Sequence, residues 1–250
     1  MSSQDVLSEA DSLSGSFVTG GHTTAFGPVG QVSGIAPPAF HHTVKIGAFD
    51  ETFSLDPTSL IDATLQINAT DLTNMVSSDG LGIDNISTQS TSDIGSASIV
   101  LTAGVASTLE ILGLSVAATF IHSDSSASYV FGPDRGFVSG DASFQSLSIS
   151  GSLIGGRTLT FSGDAAPNTV LYHSPTVTIT LDQQTLSDFL PPSPVASATP
   201  PILPNRITTD ALNIQLTNAP LLGSPITGHI SLGETSATYF TSPIVPPVPV

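Results

Sequence analysis

Three runs in this chain alternate aliphatic with hydroxyl or amide side chains at a period of two. Leu147, Ile149 and Leu153 alternate with Ser148, Ser150 and Ser152. Val177, Ile179 and Leu181 alternate with Thr176, Thr178 and Thr180, and Leu212, Ile214 and Leu216 with Asn213, Gln215 and Thr217. Successive side chains of a strand point to opposite faces, so this pattern describes strands with one dry and one wet face. Similar runs occur at Leu65–Ala69, Ile99–Val105, Thr158–Phe161 and Ile230–Leu232, each ended by Gly, Pro, Asn or Asp. From Leu109 to Ile121 both alternate sets are apolar, which predicts a central strand covered on two sides.

Helix signals are few. Val6, Leu7, Ala10 and Leu13 follow Ser2 and Ser3 at helical spacing, so residues 1–14 are expected to be a separate N-terminal segment with a short helix. Asp56-Pro57 and Gln184–Leu190 predict further helical turns at the periphery. The proline-rich stretch 191–204 lacks ladder donors and reads as a polyproline-like crossover; the tail 242–250 has the same character. The expected fold is a single all-β domain over residues 15–241, an antiparallel β-sandwich or barrel-like body. A β-helix is the structural alternative, although no repeat of fixed period is visible; two short echoes, one of them between Ser125–Phe131 and Ser236–Phe240, are too irregular for a solenoid.

Composition narrows the function. The 250 residues carry 4 basic and 20 acidic side chains, a formal charge of -16, and no cysteine or tryptophan. Nucleic acid and anionic membrane surfaces are normally held by clustered Lys and Arg, so neither is an expected partner. A chain this long buries roughly 70–75% of its unfolded surface and needs no disulfide or metal staple. With 10% of residues charged, the surface must be covered largely by Ser, Thr, Asn, Gln and Gly, a balance common in surface proteins. Absence of cysteine fits an exported bacterial protein. The first 15 residues lack the basic and apolar regions of a secretory signal peptide, and no run reaches the ~18–20 apolar residues of a membrane-spanning helix.

The stretches Ala166–Leu181 (APNTVLYHSPTVTITL), Ile207–Ile214 (ITTDALNI) and Ile226–Leu232 (ITGHISL) resemble the C-terminal half of the bacterial choice-of-anchor P domain, and residues 15–34 (GSFVTGGHTTAFGPVGQVSG) are similar to its opening. That resemblance implies a surface-displayed bacterial protein and supplies no catalytic residues. The sequence departs from the family pattern in reaching Val250 without an anchor helix or sorting signal.

Motifs with chemistry are sparse. Residues 79–86 (DGLGIDNI) match the repeat-in-toxin calcium pattern at every key place except its first glycine, which nominates Asp79 and Asp84 as calcium ligands. Calcium needs six to eight oxygens and that motif works in stacked copies, so a glycine turn between strands is the competing reading. His41 and His42 are adjacent and would point to opposite faces of a strand, a geometry that cannot grip one ion. There is no G-x-S-x-G elbow, phosphate loop or dinucleotide fingerprint, and the expectation is a protein without enzymatic activity. Carbohydrate binding, calcium-dependent or otherwise, is the alternative function, with Tyr172 beside His173 as its first candidate contact.

Open sheets usually guard their edges with lysine, and this chain has a single one, Lys45. The expected function is an extracellular or cell-surface structural or adhesive protein, self-associating through strand edges and tails into a fibre, layer or matrix. Ile244, Val245, Val248 and Val250 of the tail are the nominated assembly residues.

Overall fold

A computed structural model describes residues 6–55, 61–81, 85–105, 109–130, 135–187, 205–221 and 224–239. Almost everything described is strand: β1 (Val6–Thr19), β2 (His22–Val29), β3 (Val32–Ala36), β4 (Phe40–Ser54), β5 (Ile61–Leu81), β6 (Asn85–Val105), β7 (Leu109–Val130), β8 (Arg135–Gly151), β9 (Arg157–Ala165), β10 (Thr169–His173), β11 (Val177–Ser187), β12 (Arg206–Leu221) and β13 (Ser224–Tyr239). One 3-10 turn at Ser152–Ile154 closes on Gly155, whose φ of 71° requires a residue without Cβ strain.

The strands form two antiparallel sheets stacked face to face. The first runs β10-β11-β12-β13-β1-β2, with β3 continuing on β1 beyond β2; the second runs β4-β5-β6-β7-β8-β9. In chain order this is a meander that goes round once, because β13 returns to pair with β1 from Val6↔Tyr239 to Thr19↔Ile226. No ladder joins β3 to β4 or β9 to β10 among the described residues, so the cycle is two sheets and no closed barrel. All pairings are antiparallel, which removes the β-helix alternative. The longest strands have 21 and 22 residues, a length of about 70 Å at ~3.3 Å per residue.

A belt crosses both sheets at mid-strand, and along it the side-chain phase inverts. In the second sheet the pairing passes over Asp71 and Gly95 (Thr70↔Ser96, then Leu72↔Ile94) and over Gly95 and Phe120 (Ser96↔Thr119, then Ile94↔Ile121). In the first sheet it passes over Ser12, Gly233, Ala211 and Asp182 in the same manner. Left-handed backbone at Asp71, Phe120, Asp182 and Gly233 reverses the pleat locally. On β5 the inward residues are therefore Ala63, Leu65, Ile67 and Ala69 before the belt and Leu72, Asn74 and Val76 after it.

The two sides of the belt have different interiors. On one side Leu65, Ile67, Ile99, Leu101, Leu114, Val116, Ile149, Ile179, Leu212 and Ile214 form a continuous aliphatic core. On the other side much of the interior is hydroxyl. Ser125 Oγ donates to Thr209 Oγ1 at 2.9 Å and lies 2.9 Å from Thr235 Oγ1; Ser123 Oγ is 3.1 Å from Thr235 Oγ1; Thr88 Oγ1 donates to Ser8 Oγ at 2.9 Å. These bonds run from sheet to sheet, and side chains this short meet only where the sheets lie closer than the usual ~10 Å. Gly136 and Gly140 on the inner face of β8 allow that approach, since a Cβ at Gly136 would strike the Tyr239 ring and one at Gly140 would strike Thr209 Oγ1. Beyond the hydroxyl layer Tyr129 and Tyr239 close the end of the body, ring centroids 5.8 Å apart, with Val6, Ile86 and Ile207 beside them. The echoed segments 125–131 and 236–240 thus supply facing tyrosines from opposite sheets.

The expected N-terminal helix is strand. Val6, Ala10 and Leu13 all point inward because β1 changes phase between Ser12 and Leu13, which imitates helical spacing. Residues 6–14 accordingly belong to the β body. The helical turn expected at Gln184–Leu190 is also strand as far as Ser187, paired with β12 from Gln184↔Thr209 to Ser187↔Arg206. β7 is internal to its sheet as expected, but only one face is dry: Ala117 and Phe120 point outward and Phe120 is 65% exposed. Asp56-Pro57, the crossover 191–204 and the tail 242–250 lie outside the described residues.

Candidate functional site

The belt brings ionisable groups together on the outer face of each sheet. On the first sheet the register places Asp11 opposite Glu234 and Glu234 opposite Asp210, three carboxylates abreast on adjacent strands. Like charges directly opposite repel. Burial first, then the charges of Glu234, Asp210 and Glu9, push Asp11 up to about 8. Its Oδ1 is buried without a hydrogen-bond partner. Burial also raises Glu234 and Asp210, while Ser231 Oγ at 2.9 Å and Asn213 Nδ2 at 3.2 Å donate to Asp210 and counter part of that rise. Arg206 Nη2 lies 3.4 Å from Glu9 Oε2 at the rim of the row.

On the second sheet His122 Nδ1 lies 2.7 Å from Asp93 Oδ1 across the β6–β7 ladder. That hydrogen bond is the main reason the imidazole is raised above its ordinary value, burial acting the other way. One row further, Asp124 faces Asp141 across β7 and β8. Burial and then its hydrogen bond to Asp141 push Asp124 up to about 6, against a hydrogen bond of 3.1 Å from Gln89 Nε2. Beside this group Thr70, Asp71, Asp93, Gly95, Phe120 and His122 line an open depression of the sheet surface. Phe120 has φ 46°, a conformation unfavourable for a bulky residue, and its ring stands in solvent.

Among the described residues no group of three or more His, Cys, Asp or Glu is arranged to hold a metal ion. Of the nominated calcium ligands, Asp79 sits exposed near the end of β5 and Asp84 lies outside the described residues. The strands around them pair antiparallel through Gly80↔Ser87 and Leu81↔Ile86. His41 and His42 are consecutive on the outer strand β4; His42 Nδ1 is 3.0 Å from the Ser33 carbonyl. Tyr172 packs partly buried against the aliphatic core from the edge strand β10, and the exposed His173 lies 3.1 Å from Thr178 Oγ1. Ile244, Val245, Val248 and Val250 lie outside the described residues.

Sequence reasoning missed the carboxylate rows and Phe120. The rows are created by register between residues as far apart as Asp11 and Glu234, and no local spacing announces them. The one signal in the sequence is a pair of consecutive inward residues, as at Leu181-Asp182 and Ala211-Leu212, which marks where the phase changes.

No family model matches the chain, and no curated protein matches it. Among solved structures it shows similarity to Ail, the attachment invasion locus protein of Yersinia pestis, at 7% identity, over 96% of this chain and 99% of that one, with a TM-score of 0.17. A score that low carries no argument about fold or role.

Proposed function

We propose that this chain is a structural or adhesive domain of a bacterial cell surface or extracellular matrix, that it works through its surfaces without catalysis, and that copies associate through strand edges. The choice-of-anchor P resemblance supports the surface setting. The observation that carries association is β4, a 15-residue strand on the outside of the second sheet with β5 as its sole ladder partner among the described residues. Its length contrasts with the short or bulged edges of the first sheet, where β10 has 5 residues and a register shift and the other side is divided between β2 and β3. A long open edge is a template for another strand. Light scattering on the full chain over a hundredfold dilution tests this: mass rising with concentration is expected, and a constant monomer mass at the highest concentration would contradict it.

Carbohydrate recognition is the second reading, favoured by the exposed Phe120 ring standing among Asp71, Asp93 and His122. An apolar ring face beside hydrogen-bonding groups suits a sugar ring. A glycan-array signal that disappears in Phe120→Ala is the expected result, and absence of any saccharide signal from the wild-type chain removes the reading.

A further inference from the structure

We infer that β4 pairs with β4 of a second copy, antiparallel about a twofold axis, in the register that sets Lys45 of each copy against Asp50 of the other. This rests on the proposed self-association and specifies its contact. Residues opposite one another in an antiparallel pair share a face of the sheet. On β4 the face changes at Gly47, which the β4–β5 register passes over between Ile46↔Leu72 and Ala48↔Thr70. Val44 and Ile46 point toward the interior before it, and Phe49 and Phe53 after it. Lys45 and Asp50 lie on the outer face, both exposed.

The phase change restricts how β4 can meet itself. Inward residues numbered before Gly47 are even and those after it are odd, so a residue on one side can oppose its like on the other only where the two numbers sum to an odd value. The register through Lys45 and Asp50 satisfies this along Thr43–Thr52. Ile46 then meets Phe49 on the inner face, extending the aliphatic core across the junction, and Thr43 meets Thr52 on the outer face. A register two residues shorter sets Lys45 against Ala48 and leaves Asp50 opposite Thr43; one two residues longer sets the outward Ala48 against the inward Phe49. The first loses both ion pairs and the second mismatches faces. Only Lys45 among the lysines is available to this chain, and its central place on the edge makes it a register selector: it disfavours strands that bring no acid opposite it. Twofold symmetry makes the contact self-complementary, each copy supplying one cation and one anion. The first residues of β4 lie outside the pairing, because His42 and Phe40 lean on Ser33 and Gly34 of β3.

The chain has no cysteine, which makes cross-linking unambiguous. The full chain carrying Thr43→Cys and Thr52→Cys, which keeps Lys45 and Asp50, is oxidised and run without reductant. The two sulfurs of one copy are about 30 Å apart along a single strand and cannot join each other. A disulfide-linked dimer is the expected product, with a yield at least tenfold below it for Thr43→Cys with Asp50→Cys, the pair that the register two residues shorter would join. Charge reversal gives a second readout: Lys45→Asp or Asp50→Lys alone weakens association about tenfold, two like-charge pairs being created per dimer, and the double exchange restores it. Association by light scattering with neither the cross-link nor the charge rescue overturns the β4 contact while leaving self-association in place. A monomer at every concentration overturns both.

Discussion

Replacing Asp11 by Asn is expected to stabilise the protein at pH 8 by about 2–5 kcal/mol and to remove most of the stability gained on acidification. Asp11 is the most perturbed of the three carboxylates lying abreast on β1, β13 and β12. Its folded-state value, about 8, lies above the 3.8 of an unfolded chain. The folded protein therefore binds more protons than the unfolded one between those values, and stability falls as pH rises through that window. Glu234 and Asp210 are raised by burial in the same direction, and relief of the net negative charge adds to it. Asparagine keeps the shape, donates hydrogen bonds, and removes both the buried charge and its repulsion of Glu234. Urea melts of wild type and Asp11→Asn at pH 5 and pH 8 provide the measurement. Wild type should be more stable at pH 5 and the variant nearly level; a wild type more stable at pH 8 would mean that the row is solvated or separated.

Ile214→Ala should cost about 2–5 kcal/mol, because it opens a cavity among closely packed aliphatic side chains on the dry side of the belt. Ser125→Ala, on the other side, removes almost no volume, yet it strips a partner from Thr209, Thr235 and the Thr235 carbonyl at once. Leaving such groups dry and unpaired costs about 1–3 kcal/mol. Denaturant melts of both variants test the two-part interior: comparable losses from a three-atom and a one-atom deletion are expected only if the hydroxyl layer is dry and bonded as described. A neutral Ser125→Ala would mean that water reaches it.

The legible part of the fold lies on one side of the belt. The three runs that announce strands, Leu147–Leu153, Val177–Leu181 and Leu212–Leu216, all supply the aliphatic core, where inward and outward residues differ in chemistry. On the other side Ser8, Ser90, Ser123, Ser125 and Thr235 point inward and serines and threonines also cover the outside, so alternation carries no contrast. The phase change itself misled local reading: at Ser12–Leu13 it turned a strand into an apparent helix, and around Phe120 it made a one-faced strand look two-faced. Sheet order was beyond local signals, since the return of β13 to β1 joins the two ends of the described chain. Scarcity of lysine was visible, and the place of the one lysine was not: Lys45 stands near the middle of β4, the longer edge of its sheet, while Arg157 begins β9 at the opposite edge. Charge has been placed at both borders of that sheet, and the edges of the other are shortened or bulged.

Association along the rim of the second sheet is most directly seen by amide hydrogen exchange on the full chain at low and high concentration. Amides of residues 43–52 should gain protection at high concentration, on alternate positions facing away from β5, with the interior strands β6 and β7 unchanged. Equal exchange throughout β4 at both concentrations, in a sample whose mass has risen, would contradict the account.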